Sequence, residues 1–89
     1  MGMKFEYDEN KSHINEQKHG INFDDAQQLW SDENLLEVAL NFPDEPRFIC
    51  IGKIGEKHFS AIITYRANVI RIISIRRSRK EEIAHYENS

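Results

Sequence analysis

Between Leu35 and Arg76 the chain repeats one pattern four times: a run rich in Ile, Val and Phe, halted by a short stretch of turn-forming residues. The runs are Leu35–Phe42, Arg47–Ile54, Lys57–Tyr65 and Val69–Arg76, and the halts fall at Pro43-Asp44-Glu45-Pro46, Gly55-Glu56 and Ala67-Asn68. β-Branched and aromatic residues at this spacing are strand formers. Connections this short cannot carry a chain back across a sheet, so successive strands pair antiparallel. Strand periodicity puts His58, Ser60, Ile62, Thr64 and Arg66 on one face of the third run. In the fourth it puts Ile72, Ser74 and Arg76 on one face and Arg71, Ile73 and Ile75 on the other, unless a bulge intervenes. Both faces of the fourth run contain Ile, which leaves the register across Ala67-Asn68 open.

Helical signals flank this block. Phe5–Tyr7 reads as a short strand, and Asp8 is placed to cap a helix running to about Lys18. Lys18-His19-Gly20-Ile21 then supplies late cations, a glycine and an apolar residue, a Schellman-type ending. Asn22 caps a second helix to about Trp30, with Asp24 and Asp25 in its first turn and Phe23, Ala26, Leu29 and Trp30 at helical spacing. At the other end Ser78-Arg79-Lys80-Glu81 has the capping-box pattern and predicts a final helix over about 79–87. The order β-α-α-β-β-β-β-α predicts one α+β domain over residues 1–89: two N-terminal helices packed on a mainly antiparallel meander sheet, with a C-terminal helix.

A chain of 89 residues buries only about two-thirds of the surface its unfolded form exposes. The lone Cys50 lies in the apolar run Phe48-Ile49-Cys50-Ile51 and reads as a small buried hydrophobe, which fits a reducing cytoplasm. Met1-Gly2-Met3-Lys4 leads directly into alternating strand sequence, so no signal peptide or membrane segment is expected, and Met1-Gly2 is compatible with a remnant of expression cloning.

The formal net charge of −3 conceals two unlike halves. Residues 1–46 hold three Lys against eleven Asp and Glu, whereas residues 47–89 hold nine Lys and Arg against four Glu. Five of those cations fall within Arg71-Ile-Ile-Ser-Ile-Arg-Arg-Ser-Arg-Lys80, with no carboxylate among them. A basic segment on an otherwise acidic chain suggests contact with a polyanion.

Several side chains could act there. Arg79, Glu82, Ile83 and Tyr86 share one side of the last helix, so Arg76, Arg79, Glu82 and Tyr86 are expected to converge where the last strand meets it. Arginine forks suit phosphate and an aromatic ring suits an unstacked base. The bland reading is equally available: Glu82 bonding an Arg, and Tyr86 packing the helix to the sheet. His13 and His85 read as solvated and His19 as a helix-terminal residue, which leaves His58, beside the basic region, as the histidine of interest. No histidine pair has metal-ligand spacing, and neither a Gly-rich phosphate loop nor a nucleophile elbow is present, so neither a metal nor a cofactor is expected.

Taken in order, these residues resemble the BrnT toxins, part of the larger RelE/ParE-like toxin group of bacterial type II toxin–antitoxin systems. Phe5-Glu6-Tyr7-Asp8 is similar to the family's opening, and Asn15-x-x-Lys18-His19-Gly20-Ile21-x-Phe23-x-x-Ala26 to its helical signature. Arg47 with Ile51-Gly52, Thr64-x-Arg66, Arg71-Ile72-Ile73-Ser74-x-Arg76, and Glu82 with Tyr86 follow at its spacing. The chain departs from the family's usual alanines at Ile75 and Ser78. The resemblance implies a RelE-like fold and an RNA-cleaving toxin that slows translation without a metal. A co-encoded BrnA-like antitoxin with a ribbon-helix-helix part would neutralise it in a hetero-oligomer and alone contact the operator DNA. It implies catalytic roles for Arg66, Arg76 and Arg79, with Glu82, Tyr86 and His58 as proton-transfer candidates in that order, and RNA contacts from Arg71, Arg77 and Lys80. Two other classes fit the same basic face: a non-catalytic antitoxin-binding co-repressor, and a toxin of the same fold directed at DNA gyrase.

Overall fold

A computed structural model describes residues 3–89, so the reading of Met1-Gly2 as a cloning remnant lies outside the described residues. Five strands form one sheet: β1 (Lys4–Glu6), β2 (Leu36–Leu40), β3 (Arg47–Ile54), β4 (Lys57–Arg66) and β5 (Val69–Arg77). The helices are α1 (Glu9–His19), α2 (Phe23–Ala26) and α3 (Lys80–Glu87). The spatial order is β1-β5-β4-β3-β2. The four predicted runs pair antiparallel in sequence order. β1, whose place the sequence left open, adds in parallel to β5 and makes the sheet mixed.

One face of the sheet carries the core. Phe59, Ala61 and Ile63 from β4, Ile70, Ile72 and Ile75 from β5 and Cys50 from β3 meet Ile21, Phe23, Ala26 and Leu29 from the helical segment. The second predicted helix does not continue to Trp30 as an α-helix. It is α-helical for four residues, then tightens into a 3₁₀ turn over Gln27–Ser31. Its buried positions Phe23, Ala26 and Leu29 recur every third residue. A helix of three residues per turn keeps such positions in line, which an α-helix does not.

α1 is attached in an unexpected way. Its inward residues are Ser12 and Asn15, while its one large apolar residue, Ile14, is exposed. Ser12 Oγ accepts from the Phe23 N–H at 2.9 Å. Asn15 donates to the carbonyls of Ile21 and Ile75, both at 2.8 Å, and accepts from the Ile75 N–H at 3.2 Å. β1 pairs with β5 only as far as Arg71, so one amide side chain takes over the outer edge of β5 beyond that point. Gly20 ends the helix with φ 76°, its N–H bonded to the Glu16 carbonyl at 2.9 Å, the single bond of an αL cap in place of the expected Schellman pair.

Gly52 is required for packing. A Cβ there would lie 2.8 Å from Leu35 Cδ1 and 3.1 Å from Asp32 Oδ2. That close approach lets Asp32 accept from the Lys53 N–H at 2.8 Å, just past the end of β2.

Candidate nucleic-acid interface

Among the described residues, the opposite sheet face is covered only at one end, by α3. Ser60 and Ile51 are buried there, with Ser60 Oγ donating to Glu82 at 2.9 Å. The rest of this face is open, and the cross-strand register decides what it displays. On β4 the predicted set His58, Ser60, Ile62, Thr64 and Arg66 lies on it. On β5, Ile62 pairs with Ser74 but Ile63 pairs with Ile72, so Ile73 is an extra residue. This bulge resets the alternation. Ile70, Ile72 and Ile75 all reach the core, and Arg71 and Arg76, five positions apart, both come to the open face.

Arg71 sits opposite Thr64, Arg66 follows at the hairpin, and Arg47 lies on the next strand beside them. Thr64, itself buried, donates to the Pro46 carbonyl at 2.6 Å and fixes the approach to Arg47. Arg71 pairs with Glu6 at 3.2 Å and Arg66 with Glu45 at 3.9 Å, the latter between exposed groups. The Arg47 guanidinium lies 4.8 Å from the centroid of the exposed Phe42 ring. Three arginines are thus gathered within one or two strand spacings, about 5–10 Å.

The second basic position lies about 13 Å further along the strands, where Arg76 opposes Ser60. Arg76 grips Glu82 with both terminal nitrogens, at 2.9 and 2.8 Å. Glu82 also accepts from Ser60 and from the Arg79 N–H at 2.8 Å. The Arg76 guanidinium, aided by the Arg79 amide and Ser60, holds the Glu82 carboxyl at about 2 despite its burial. Glu82 reciprocally raises Arg76. The helix therefore starts one residue later than predicted. Arg79 is the N-cap, with Glu82 bonded back to its amide. Ser78 is still held by the sheet, its N–H on the His58 carbonyl at 3.0 Å and its hydroxyl on Ser60 at 2.7 Å.

The remaining candidates disperse. Tyr86 is buried against the His58 ring, 5.3 Å between centroids, and its hydroxyl donates to Asp32 at 2.6 Å. That bond, with burial, pushes the Tyr86 phenol up to about 12. Burial pushes the Asp32 carboxyl up, but the bonds from Tyr86, Asn34 and Lys53 outweigh it and leave it below its ordinary value. His58 Nε2 lies 3.1 Å from Glu87 and opposes Lys53 across the ladder. Arg77 falls on the core side, 5.7 Å from the Phe59 centroid, and the exposed Arg79 and Lys80 side chains have no ion pair among the described residues. His13, His19 and His85 are exposed. Convergence is thus met by Arg76, Glu82 and the Arg79 backbone, whereas Tyr86 turns towards Asp32 and Arg66 and Arg71 form a separate group.

Asn15, Asp32 and Ser60 were given no role on sequence grounds. For Asn15 a signal existed: Glu9–His19 carries no apolar stripe, so something polar had to attach it.

Three arginines on the open part of this sheet face, with Arg76 on the same face at its α3 end, make a surface suited to a polyanion. The profile of the family described as "Ribonuclease toxin, BrnT, of type II toxin-antitoxin system" matches residues 7–82, most of the chain, and the protein belongs to this family. It is accordingly a ribonuclease toxin of a type II system, with a protein antitoxin as partner. No match was found among individual curated proteins. No helix of the described residues is long and apolar enough to cross a membrane.

Proposed function

We propose that the chain is a cytoplasmic endoribonuclease of RelE-like build that binds single-stranded RNA along its open sheet face and cleaves it without a metal. The supporting observation is the register that brings Arg47, Arg66, Arg71 and Arg76 to one face. Arg47, Arg66 and Arg71 hold one phosphate group of the strand, and the exposed Arg79 and Lys80, with the nitrogen that Arg76 leaves free, receive another at the α3 end. Cleavage there is attack of a ribose 2′-OH on the adjacent phosphorus with expulsion of the 5′ oxygen, which leaves a 2′,3′-cyclic phosphate. It requires a proton acceptor, a proton donor and cations beside the phosphorane.

The geometry reorders the proton-transfer candidates. A carboxyl held at about 2 does not take a proton at neutral pH, so Glu82 serves to brace Arg76 and the start of α3. A phenol pushed up to about 12 keeps its proton on Asp32, so Tyr86 supports the His58 ring. His58, whose ring nitrogens can both take and give a proton, with Glu87 to orient it and Lys53 beside it, is assigned the proton transfers. A BrnA-like ribbon-helix-helix antitoxin neutralises the toxin by covering the same face, and operator DNA is contacted through that antitoxin alone.

The test is cleavage of end-labelled single-stranded RNA by the antitoxin-free chain, with and without chelator and ribosomes, alongside His58→Gln and the double variant Arg66→Ala/Arg71→Ala. Chelator-resistant cleavage, abolished by His58→Gln and weakened in substrate binding by the arginine variant, is expected. Loss of cleavage in chelator overturns the metal-free chemistry, and full activity in His58→Gln overturns its role. Intact RNA with damaged DNA in expressing cells would instead favour the gyrase reading.

A further inference from the structure

The sheet has one long edge that nothing covers among the described residues. β1 is three residues long, and beyond it Asn15 occupies the rim of β5, but β2 ends the other side with its outer backbone unpaired. Exposed edges usually carry a charged side chain, a Pro or a bulge that discourages pairing. Leu36-Glu37-Val38-Ala39-Leu40 has no bulge and no proline, the nearest being Pro43, and its single charge, Glu37, is tied back to Tyr65. Val38, at its centre, is 43% exposed.

We infer that β2 pairs antiparallel with β2 of a second copy of this chain, about a two-fold axis through Val38, to give a continuous ten-stranded sheet. The sequence Leu-Glu-Val-Ala-Leu is self-complementary about its middle residue. With Val38 facing Val38, each Leu36 faces Leu40 on the open side, and each Glu37 faces Ala39 on the other. The apolar residues meet each other, and no carboxylate lies directly opposite a carboxylate. The two Glu37 residues are diagonal neighbours, and each is drawn inward from the axis. Its Oε1 accepts from Tyr65 on β4 at 2.6 Å, reaching across β3. Burial, reinforced by that Glu37 contact, raises the Tyr65 phenol. Centring on Val38 keeps residues of the same edge orientation opposite one another, whichever of them point their amides outward.

The test uses sedimentation equilibrium of the purified, antitoxin-free chain, with the fold checked by circular dichroism and by RNA binding. Val38→Lys and Val38→Glu each set like charges in contact across the axis and should each weaken association by about a hundredfold or more. An equimolar mixture of the two should recover a dimer, because only symmetric pairing at residue 38 brings Lys and Glu together. Ala39, exposed and opposite Glu37, supplies a test with opposite signs: Ala39→Lys should tighten the dimer and Ala39→Glu should loosen it. The proposal is overturned by a wild-type chain monomeric at every soluble concentration, by Val38 variants that dimerise unchanged, or by a mixture that stays monomeric. An antitoxin complex disrupted by Val38→Lys, with a monomeric free toxin, would assign the edge to a partner strand instead.

Discussion

Replacing Glu82 by Gln keeps the shape of the side chain and removes its charge, and the consequence can be worked out from its surroundings. The carboxylate takes both arms of Arg76, the Ser60 hydroxyl and the Arg79 amide, and it is only 14% exposed. Its proton affinity falls from an ordinary 4.5 to about 2, a change corresponding to about 3 kcal/mol of stabilisation of the folded state. In Glu82→Gln an amide NH₂ confronts a guanidinium, two donors with nothing to accept. The variant should therefore be about 3 kcal/mol less stable at neutral pH, which for a domain of this size lowers the melting temperature by roughly 12–24 °C. The pH dependence fixes the cause. A carboxyl whose folded value is depressed contributes fully above its unfolded value and loses that contribution as pH falls through the folded one. The advantage of the wild type should hold above 4.5, shrink below it and vanish near 2. Urea titrations of both proteins, followed by circular dichroism across that range, measure the difference directly. A difference under about 1 kcal/mol at neutral pH, or one that persists unchanged in acid, would refute the assignment of this energy to the ionised pair.

Other expectations follow from single contacts. Asn15→Leu strips the Ile75 amide and carbonyl of their partner and should cost on the order of 3 kcal/mol, with faster hydrogen exchange at the Ile75 amide. Ala67 holds φ 56° in the β4–β5 turn, so Ala67→Gly should gain about 1 kcal/mol in thermal or urea denaturation. Gly20→Ala, at φ 76°, should lose about 1 kcal/mol while leaving RNA cleavage intact. RNA affinity should fall with salt, and Arg66→Ala and Arg71→Ala should each flatten the logarithmic slope by about 0.7 if each arginine neutralises one phosphate.

The strand run Leu35–Arg76 and its halts were legible because turn residues and β-branched residues act locally, and the antiparallel order followed from the short connections. The fate of Ser78 was not legible. Its neighbours spell a helix cap, but the backbone bond to His58 keeps it in the ladder, a partner twenty residues away in the chain. The hold on Arg76 was not fixed by local sequence either. A cation at a strand end looks free for phosphate, whereas its bidentate contact with Glu82 depends on α3 folding back over Ser60. Residue type indicated the chemistry of the face, and long-range register decided which members of the set share it.

The extra residue Ile73 also acts as a phase shift within the strand. Residues before and after it count alternation from different origins, so a strict count of every second residue through the run misplaces one half of it. Deleting Ile73 would set Ile72 beside Ser74, with Ile63 still opposite Ile72 and Ile62 still opposite Ser74, and the regular ladder would keep Arg71 and Arg76 on the open face. Closing the ladder with Ile73 retained has the opposite effect: extended regularly from Val69–Ile72, the strand would turn Arg76 toward the core and Ile75 toward solvent. The bulge, more than the composition of the strand, is what lets two arginines five positions apart share a face.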